Sequence, residues 1–270
     1  MLFLSSEEYV GNAGNIRVLS RQPQLDYPEH CHDFSELVLV SSGSGTHIVN
    51  GKQSLLLPNS VSCISEKDYH QFTDNKDVYL VNVLYSKRDL HINQRCVQVI
   101  EQLEQQTRQF FITHDVFQPL FQLAQSIERE QETGFKNGDV MITLLFEQLL
   151  LSIDRLDARM LENSPMMNAI VYLSNHYMEP DLSVGAVCEQ FSIAAKSLGK
   201  EITRLTGLST NKFINHLRIR HAMRELALGE SVTEVAFNCG YTDSNYFSSK
   251  FKAVTGATPT GYLKQLQLQR

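Results

Sequence analysis

Residues 231–263, SVTEVAFNCGYTDSNYFSSKFKAVTGATPTGYL, constrain the fold of this chain more than any other stretch. Apolar residues at helical spacing predict a short helix over residues 233–238 and a second helix over about residues 244–253, with facing apolar sides. Gly240 lies between them, where a tight turn needs a residue that tolerates a positive φ. Gly256 follows the second helix as a signal for its end. The stretch is therefore predicted to fold as two helices joined by a tight turn.

The same pattern occurs once before, in residues 182–208, LSVGAVCEQFSIAAKSLGKEITRLTGL. Val187 precedes its equivalent Val235 by 48 residues, and Leu198 precedes Phe247 by 49. A single copy would be read as an ordinary helical hairpin whose charged side is solvated. Two copies with matching turns and endings instead favour a tandem pair of helix-turn-helix motifs.

The outer sides of the two second helices differ in chemistry. In the first copy, Lys196, Lys200 and Arg204 form a basic row spaced by four residues. In the second copy the outer side offers mostly hydroxyl and amide groups, from Ser244, Asn245, Tyr246, Ser248 and Ser249. Helix-turn-helix motifs read base edges with such side chains, and Asn suits adenine in the major groove.

Residues 166–270 resemble the DNA-binding domain of the AraC/XylS family of bacterial transcription activators. The resemblance rests on both helix-turn-helices, the LRIRHAMREL segment at 217–226 and the CGYTDSNYFSSKF block at 239–251. In that family a long helix holds two recognition helices in successive major grooves on one face of DNA. Here residues 211–228 would form that helix, with a buried stripe made of Phe213, Leu217, Ala222 and Leu226.

The resemblance also implies individual contacts. Base or phosphate contacts fall to Lys196 and Lys200, with Arg204 continuing their row, and in the second motif to Ser244, Asn245 and Ser249. Gly199 departs from the family, which often has a base-reading side chain there. Glu234 is implied as a contact for the σ subunit of RNA polymerase, although favouring the positive end of its helix is an alternative role.

The N-terminal part of the chain has a β pattern. Asn50-Gly51 separates two strand-like segments within residues 46–57, which predicts a hairpin with a type I′ turn. Gly43 and Gly45 are expected to end the preceding strand, and further strands are predicted over residues 35–40, 61–64, 69–73 and 78–85. Short strands at this spacing favour a small barrel or jelly roll.

One polar constellation lies within these strands. His30, His32, Glu36 and Gly43 have the spacing H-x-H-x3-E-x6-G, which resembles the first metal motif of cupins, and His70 is a candidate for the histidine of the second motif. The sugar-sensing domains of AraC-type activators are also cupin-like barrels. The stretch from residue 28 to residue 70 particularly resembles the activators of L-rhamnose regulons.

Three interpretations of His30, His32, Glu36 and His70 remain open. They could hold a divalent metal, they could form a metal-free lining that hydrogen-bonds sugar hydroxyls, or the first two histidines could cap strand ends. The second cupin motif lacks its glycine and the usual approach to the histidine, which favours the metal-free lining; neither a metal nor another cofactor is expected. Strand alternation alone does not say whether His47 faces the same cavity.

The apolar spacing becomes helical between residues 93 and 161. The longest helix is predicted over about residues 139–161, with more than one apolar face. One face would pack on the barrel, and the other would pair with a second subunit or complete a helical layer within one chain. The resemblance to sugar-responsive activators favours the homodimer.

The net charge of −6 is unevenly distributed. Residues 166–270 carry 11 basic and 8 acidic side chains, or +3, whereas residues 1–165 carry 13 and 22, or −9. An acidic part joined to a mildly basic part is typical of a sensor attached to a DNA-binding domain.

The sequence also argues against several classes of protein. The N-terminus does not resemble a signal peptide, no apolar stretch is long enough for a bilayer, and the five cysteines form no CxxC pair, which favours the cytoplasm. There is no nucleophile elbow and no phosphate-binding glycine loop. No catalytic residue is therefore assigned, and an enzyme is not expected. A cupin-type metalloenzyme carrying a DNA-binding domain remains the alternative.

The sequence thus predicts an α+β protein of two domains: a cupin-like β-barrel with a helical dimerisation layer, and an all-α domain with two helix-turn-helix motifs. The predicted limits are 1–92 for the effector-binding barrel, 93–162 for the helical packing region and 166–270 for the DNA-binding domain, with motifs at about 182–207 and 231–256. The expected function is a cytoplasmic, sequence-specific transcription activator that responds to a small carbohydrate, with L-rhamnose as the expected effector. The expected partners are double-stranded promoter DNA, the σ subunit and a second copy of the chain, without a membrane.

Overall fold

A computed structural model describes residues 1–11, 15–88, 90–105, 109–156 and 164–268. The chain divides into two compact units, Met1–Asn163 and Ser164–Arg270. Residues 157–161, which the sequence assigned to the end of the longest helix, lie outside the described residues.

The first unit combines a large sheet with helices. Its strands are β1 (Leu2–Leu4), β2 (Ile16–Arg21), β3 (Tyr27–His32), β4 (Ser35–Val49), β5 (Lys52–Leu56), β6 (Ser60–Ile64), β7 (Tyr69–Tyr85) and β8 (Gln109–Phe111). Its helices are α1 (Ser6–Tyr9), α2 (Gln94–Gln105), α3 (His114–Thr133) and α4 (Gly138–Asp154). The strands lie in the order β1-β3-β7-β4-β6-β8, with β2 added on β7 and β5 on β4.

The antiparallel pair of β4 and β7 is the centre of this sheet. The pair runs from Ser35 opposite Tyr85 to Val49 opposite His70. The C-terminal half of β7 also pairs with β2, and its N-terminal half pairs with β3. Because β7 joins all these strands, it brings the polar residues of β3 next to those of β4.

The sequence-based prediction that Gly43 and Gly45 end a strand is wrong, and so is the division of β7 into 69–73 and 78–85. Both strands continue through these positions, with register shifts between them around residues 40–46 of β4. Gly43, Asp74 and Asp77 adopt positive φ values of 80°, 57° and 49°. These residues form irregular bends within paired strands. The sequence predicted turns there because a bulge uses the same backbone conformations as a turn.

The hairpin prediction is confirmed. Asn50 and Gly51 have φ values of 49° and 75°, as both central residues of a type I′ turn require. Val49 and Lys52 face each other as the first pair of the two strands.

Alternate residues of the central strands serve two different cores. Leu37 and Leu39 of β4, with Val81 and Val83 of β7, pack under α2, α3 and α4. Val38 and Val40 lie on the opposite face of the bent sheet, in a separate core with Leu80 and Phe72. Because side chains alternate along a strand, Glu36 shares this inner face with Val38.

The helical layer is also tied to the sheet by hydrogen bonds. The Gln131 side chain of α3 accepts a hydrogen bond from the Val18 amide and donates one to the Ile16 carbonyl, both at 2.9 Å. The Glu128 carboxylate accepts one from the Ser20 amide at 2.6 Å. With 20 residues, α3 is longer than α4, which ends at Asp154 in the described residues; the prediction that α4 is the longest helix is therefore wrong.

The second unit is helical. Its helices are α5 (Pro165–His176), α6 (Val184–Gln190), α7 (Ala195–Thr206), α8 (Thr210–Leu228), α9 (Val232–Asn238), α10 (Ser244–Thr255) and α11 (Pro259–Leu268). Side chains of Ser183, Ser231 and Asp243 cap α6, α9 and α10 by accepting a backbone N–H. The long helix α8 packs against the second pair of helices, with Ile219, Ala222 and Leu226 in one core with Val235, Phe247 and Phe251.

Among the described residues, no helix combines the length and the apolar character that crossing a membrane would require.

Candidate functional site

The outer side of α7 carries the basic row. Lys196, Lys200 and Arg204 are all exposed, whereas Leu198 and Ile202 on the opposite side are buried. Arg204 also donates a hydrogen bond to Glu201 at 3.0 Å, which holds the pKa of that carboxyl below its usual value. This pairing leaves Lys196 and Lys200 as the stronger positive charges of the row.

Gly199 of α7, where the AraC/XylS family often has a base-reading side chain, leaves a small space on the helix. A Cβ atom there would lie 3.8 Å from Thr210 Oγ1, which is an ordinary van der Waals contact. Gly199 is therefore not required by close packing, and its neighbours Lys196 and Lys200 remain the outward-facing groups.

The outer side of α10 only partly matches the expectation. Asn245 and Ser249 are exposed and Ser244 is half-buried, but the Ser248 hydroxyl is turned to the helix and donates to the Ser244 carbonyl at 2.9 Å. The Ser248 hydroxyl is therefore not directed outward for contact with bases. The sequence analysis also missed the Lys250 ammonium, which lies 4.9 Å from the centre of the Tyr246 ring and adds a positive charge beside this face.

Glu234 takes part in the N-terminal cap of α9. The Ser231 hydroxyl accepts a hydrogen bond from the Glu234 amide at 3.2 Å and donates one to its carboxylate at 2.6 Å. Glu234 is exposed, so the same carboxylate remains accessible to a partner.

A tight contact holds the turn of the second motif against the end of α5. Gly240 has a φ of 80°, and a Cβ atom on it would lie 2.4 Å from the Met178 main-chain oxygen. Arg218 of α8 donates to the carbonyls of Tyr177 at 2.5 Å and Glu179 at 2.7 Å, and its guanidinium lies 5.3 Å from the centre of the Tyr241 ring. We call these six residues the clamp: Tyr177, Met178, Glu179, Arg218, Gly240 and Tyr241.

The turn of the first motif is exposed at the equivalent position. Ser192, the equivalent of Gly240, also has a positive φ, of 54°. A serine tolerates this conformation at a modest cost. The clamp therefore explains why the second motif has glycine where the first has serine: the second turn must also leave room for another backbone.

The first unit contains a cavity of about 440 Å³ on the inner face of its sheet. Its wall includes apolar side chains such as Leu19, Phe34, Phe72 and Leu84. The polar and aromatic groups on the wall are Tyr9, Arg21, Gln24, Tyr27, His30, His32, Glu36 and Asn82. A cavity in which polar groups converge among apolar side chains is typical of a small-molecule site.

Asn82 was not singled out from the sequence. It is 9% exposed, and its Oδ1 atom has no hydrogen-bond partner among the described residues. A buried acceptor without a partner is costly, so this atom is available to a donor on a ligand.

Three of the four predicted effector-binding residues meet at one point. His32 Nε2 lies 3.6 Å from Glu36 Oε2, and His70 Nε2 lies 3.4 Å from that same oxygen. The two Nε2 atoms are 3.3 Å apart. We call this group, whose members are at most 3% exposed, the His–Glu triangle.

The fourth residue, His30, lies beside the triangle. Its ring centre is 4.1 Å from that of His70, and its Nδ1 atom is 2.9 Å from the Pro28 carbonyl oxygen. His30 and His32 line the cavity, whereas His70 does not. The histidines of β3 therefore do more than cap a strand end.

A second layer orients the triangle. His32 Nδ1 is 2.6 Å from the Phe34 carbonyl oxygen, and His70 Nδ1 is 2.9 Å from His47 Nε2. Burial lowers the pKa of His47 to about 3 and that of His70 well below its usual value, so both imidazoles are neutral. Burial acts to lower the pKa of His32 as well, but the nearby carboxylate of Glu36 raises it overall. His47, whose orientation the alternation left open, faces this group.

Two family models match the sequence. A helix-turn-helix domain matches residues 187–265, and an AraC-like ligand binding domain matches residues 12–170. The HTH-type transcriptional activator RhaS of Escherichia coli strain SMS-3-5 is 33% identical over 251 residues, which cover 90% of this chain and 89% of RhaS.

The chain belongs to the AraC family of transcription regulators. The predicted two-domain α+β class is thereby confirmed, with a sheet-rich ligand-binding domain followed by a helical DNA-binding domain. RhaS is a regulator, and neither family model describes an enzyme.

Solved structures were also compared with the chain. ToxT from Vibrio cholerae O395 is 14% identical, with a TM-score of 0.33 over 93% of this chain and 98% of ToxT. The DNA-binding domain of AdpA, in complex with a target DNA, is 21% identical, with a TM-score of 0.37 over 40% of this chain and 97% of that domain.

Proposed function

We propose that this AraC-family protein activates transcription in response to a small carbohydrate bound in the cavity of its first unit. The observation that carries this proposal is the cavity itself, where the acceptors of Glu36 and Asn82 lie on a wall that mixes polar and apolar side chains. A sugar presents hydroxyl donors to such acceptors and C–H groups to side chains such as Phe34 and Phe72. L-rhamnose is the first sugar to test, because residues 28–70 resemble the activators of L-rhamnose regulons.

We assign the effector site to residues 1–92, with His30, His32, Glu36 and His70 as the residues that contact or orient the effector. Glu36 can accept a charge-assisted hydrogen bond from a sugar hydroxyl, generally worth about 1.5–3 kcal/mol. His70 acts through Glu36 and His32, since it does not line the cavity.

The DNA-binding role falls to residues 166–270. Lys196, Lys200 and Arg204 of α7 would contact phosphates or bases in one major groove, and Ser244, Asn245 and Ser249 of α10 would read bases in the next. The small basic excess of this part means that charge alone supplies little of the affinity. Specific base contacts and the fixed spacing of the two helices must supply the rest.

The helical region between residues 93 and 162 would form a homodimer. On α4, Val140, Met141 and Leu144 are 54%, 45% and 53% exposed on the side away from the sheet. A second copy would bury this apolar face. The regulator would act in the cytoplasm, where it meets promoter DNA and, through Glu234, the σ subunit of RNA polymerase.

Effector binding would act by a shift of population. A sugar that binds one arrangement of the protein more tightly than another favours that arrangement by the difference in affinity. Activation then requires that the favoured arrangement contact promoter DNA or polymerase better.

The decisive experiment is a thermal-shift series with monosaccharides. A sugar that binds only the folded protein raises Tm. At a sugar concentration of 100 Kd, the free energy of unfolding increases by about 2.7 kcal/mol. Asn82→Leu should lose this shift, whereas Ser62→Ala should keep it, because the buried Ser62 hydroxyl also lacks a partner among the described residues but does not line the cavity. If no sugar raises Tm, or if both variants respond like the wild type, the carbohydrate site is not in this cavity.

A further inference from the structure

We propose that His32, Glu36 and His70 hold a divalent first-row metal ion, with an open coordination position directed into the cavity. The proposal concerns the His–Glu triangle alone and does not depend on the identity of the effector.

The dimensions of the triangle match a metal site. Its three edges are 3.3, 3.4 and 3.6 Å between the two imidazole nitrogens and the carboxylate oxygen. Ligand atoms about 2.0–2.1 Å from a tetrahedral zinc ion lie about 3.3–3.4 Å from one another. Hydrogen bonds explain the two N···O distances of 3.4 and 3.6 Å less well, because N–H···O bonds are shorter, at about 2.7–3.2 Å.

The charge and burial of the group point the same way. Glu36 is 3% exposed, and within the described part of the chain no lysine or arginine pairs with its carboxylate. The nearest side-chain nitrogens to this carboxylate are the Nε2 atoms of His32 and His70, at 3.6 and 3.4 Å. A buried carboxylate needs a counter-charge. A proton on His32 could supply it, but a divalent cation between the three atoms supplies it while using both Nε2 lone pairs.

The second layer presents lone pairs to the centre of the triangle. A carbonyl oxygen only accepts hydrogen bonds, so the contact with Phe34 places a proton on His32 Nδ1 and leaves the Nε2 lone pair facing inward. At His70 the Nε2 atom of His47, 2.9 Å from His70 Nδ1, can take the place of that carbonyl as the acceptor for Nδ1–H. Ligating histidines in metal sites are commonly fixed by such a second hydrogen bond.

The donor set indicates the class of metal. Two imidazoles and one carboxylate suit zinc and neighbouring first-row ions, whereas calcium and magnesium prefer oxygen ligands. Because His32 and Glu36 line the cavity and His70 does not, the proposal places the open coordination position on the cavity side of the triangle.

This open position would take a water molecule or an oxygen of the effector. A carbohydrate hydroxyl is a suitable ligand there, and this second step rests on the function proposed above. The metal would then link effector binding to β3, β4 and β7 together, since each of these strands supplies one ligand.

The test uses the untagged full-length protein, stripped with a chelator and titrated with Zn²⁺ by calorimetry and with Co²⁺ by visible absorption. We expect one ion per chain and the intense absorption of tetrahedral cobalt. Glu36→Gln and His70→Gln should lose this binding, and His47→Gln should weaken it by about 10- to 100-fold. His176→Gln should bind like the wild type, because His176 lies in the second unit and pairs with Glu179.

Stability measured in chelator shows whether each variant is folded. The proposal is overturned if stripped wild-type protein takes up no stoichiometric ion, or if folded Glu36→Gln and His70→Gln bind as tightly as the wild type. Sugar titrations with and without Zn²⁺ then separate the two steps. Equal sugar affinity in both conditions would overturn coordination of the effector, and stoichiometric metal without any sugar binding would overturn the proposed carbohydrate response while supporting the metal site.

Discussion

A Cβ atom at Gly240 would lie 2.4 Å from the main-chain oxygen of Met178. Met178 follows α5, whereas Gly240 forms the turn between α9 and α10. The backbone of the second helix-turn-helix therefore touches the backbone that precedes the first one. Arg218 reinforces this contact by donating to the carbonyls on both sides of Met178.

Gly240→Ala should therefore cost more stability than its backbone conformation alone explains. Overpacking against fixed backbone costs about 1–3 kcal/mol, in addition to the strain of a positive φ. Gly256→Ala is the matched control, since Gly256 has a nearly equal φ of 82° and no atom within 4 Å of its Cβ position. Urea unfolding of both variants measures the difference; equal losses would show that the contact with Met178 contributes nothing.

Lys200→Ala should weaken DNA binding for every sequence alike. If Lys200 contacts a phosphate, its loss reduces the slope of log affinity against log salt by about 1. Arg204→Ala is expected to have a smaller effect, because Glu201 already pairs with Arg204. Titrations at several salt concentrations distinguish the two. A loss confined to particular base pairs would instead assign Lys200 to base recognition.

Asn245→Ala should relax the choice of base at one position of the operator. A bidentate contact with adenine contributes about 1–3 kcal/mol of discrimination. Ser248→Ala is a suitable control, because its hydroxyl is bonded to the helix backbone. Binding to a panel of operators with single substitutions measures the effect, and uniform weakening across the panel would contradict base reading by Asn245.

The charge of Glu234 can be separated from its capping role. Glu234→Gln retains an acceptor for the Ser231 hydroxyl but removes the negative charge, whereas Ser231→Ala removes the cap and keeps the charge. We expect Glu234→Gln to bind operator normally and to lose activation in a transcription assay. Activation at the wild-type level would leave only the helix cap, whose loss in Ser231→Ala costs about 0.5–2 kcal/mol.

Leu144→Glu should separate the proposed homodimer. Leu144 is 53% exposed on α4, and a charge there would have to be buried in the interface. Gln122→Glu adds the same charge at an exposed position on α3 instead of α4. Sedimentation at several protein concentrations should show a monomer for Leu144→Glu and a dimer for the control. A dimer in both would place the interface elsewhere.

The helical unit could be predicted closely from the sequence because its signals are local. Asp243 as a cap, Gly240 in the turn and Gly256 at the end each act within one or two turns of helix. The clamp could not be predicted, since Arg218 reaches carbonyls about 40 residues away whose position only the tertiary packing sets.

The sheet was harder to predict from the sequence, because local signals in its strands are overridden by pairing between distant residues. Gly43 and Asp77 carry ordinary turn signals, yet each lies within a long strand whose pairing continues beyond it. The bulges also change which side chains face inward, so alternation could not place His47. Asn82 is the one amide side chain in the largely apolar segment 78–85 of β7, and only the cavity distinguishes it from a surface position.

The hydrogen bonds between α3 and β2 have a consequence for association. Among the described residues β2 pairs with β7 on one side, and on its other side the amides of Val18 and Ser20 and the carbonyl of Ile16 are bound by Gln131 and Glu128. An incoming strand needs these same groups. This edge of the sheet is thus blocked against strand addition, and the protein can expose an apolar helix for assembly without also offering β2 as a template for aggregation.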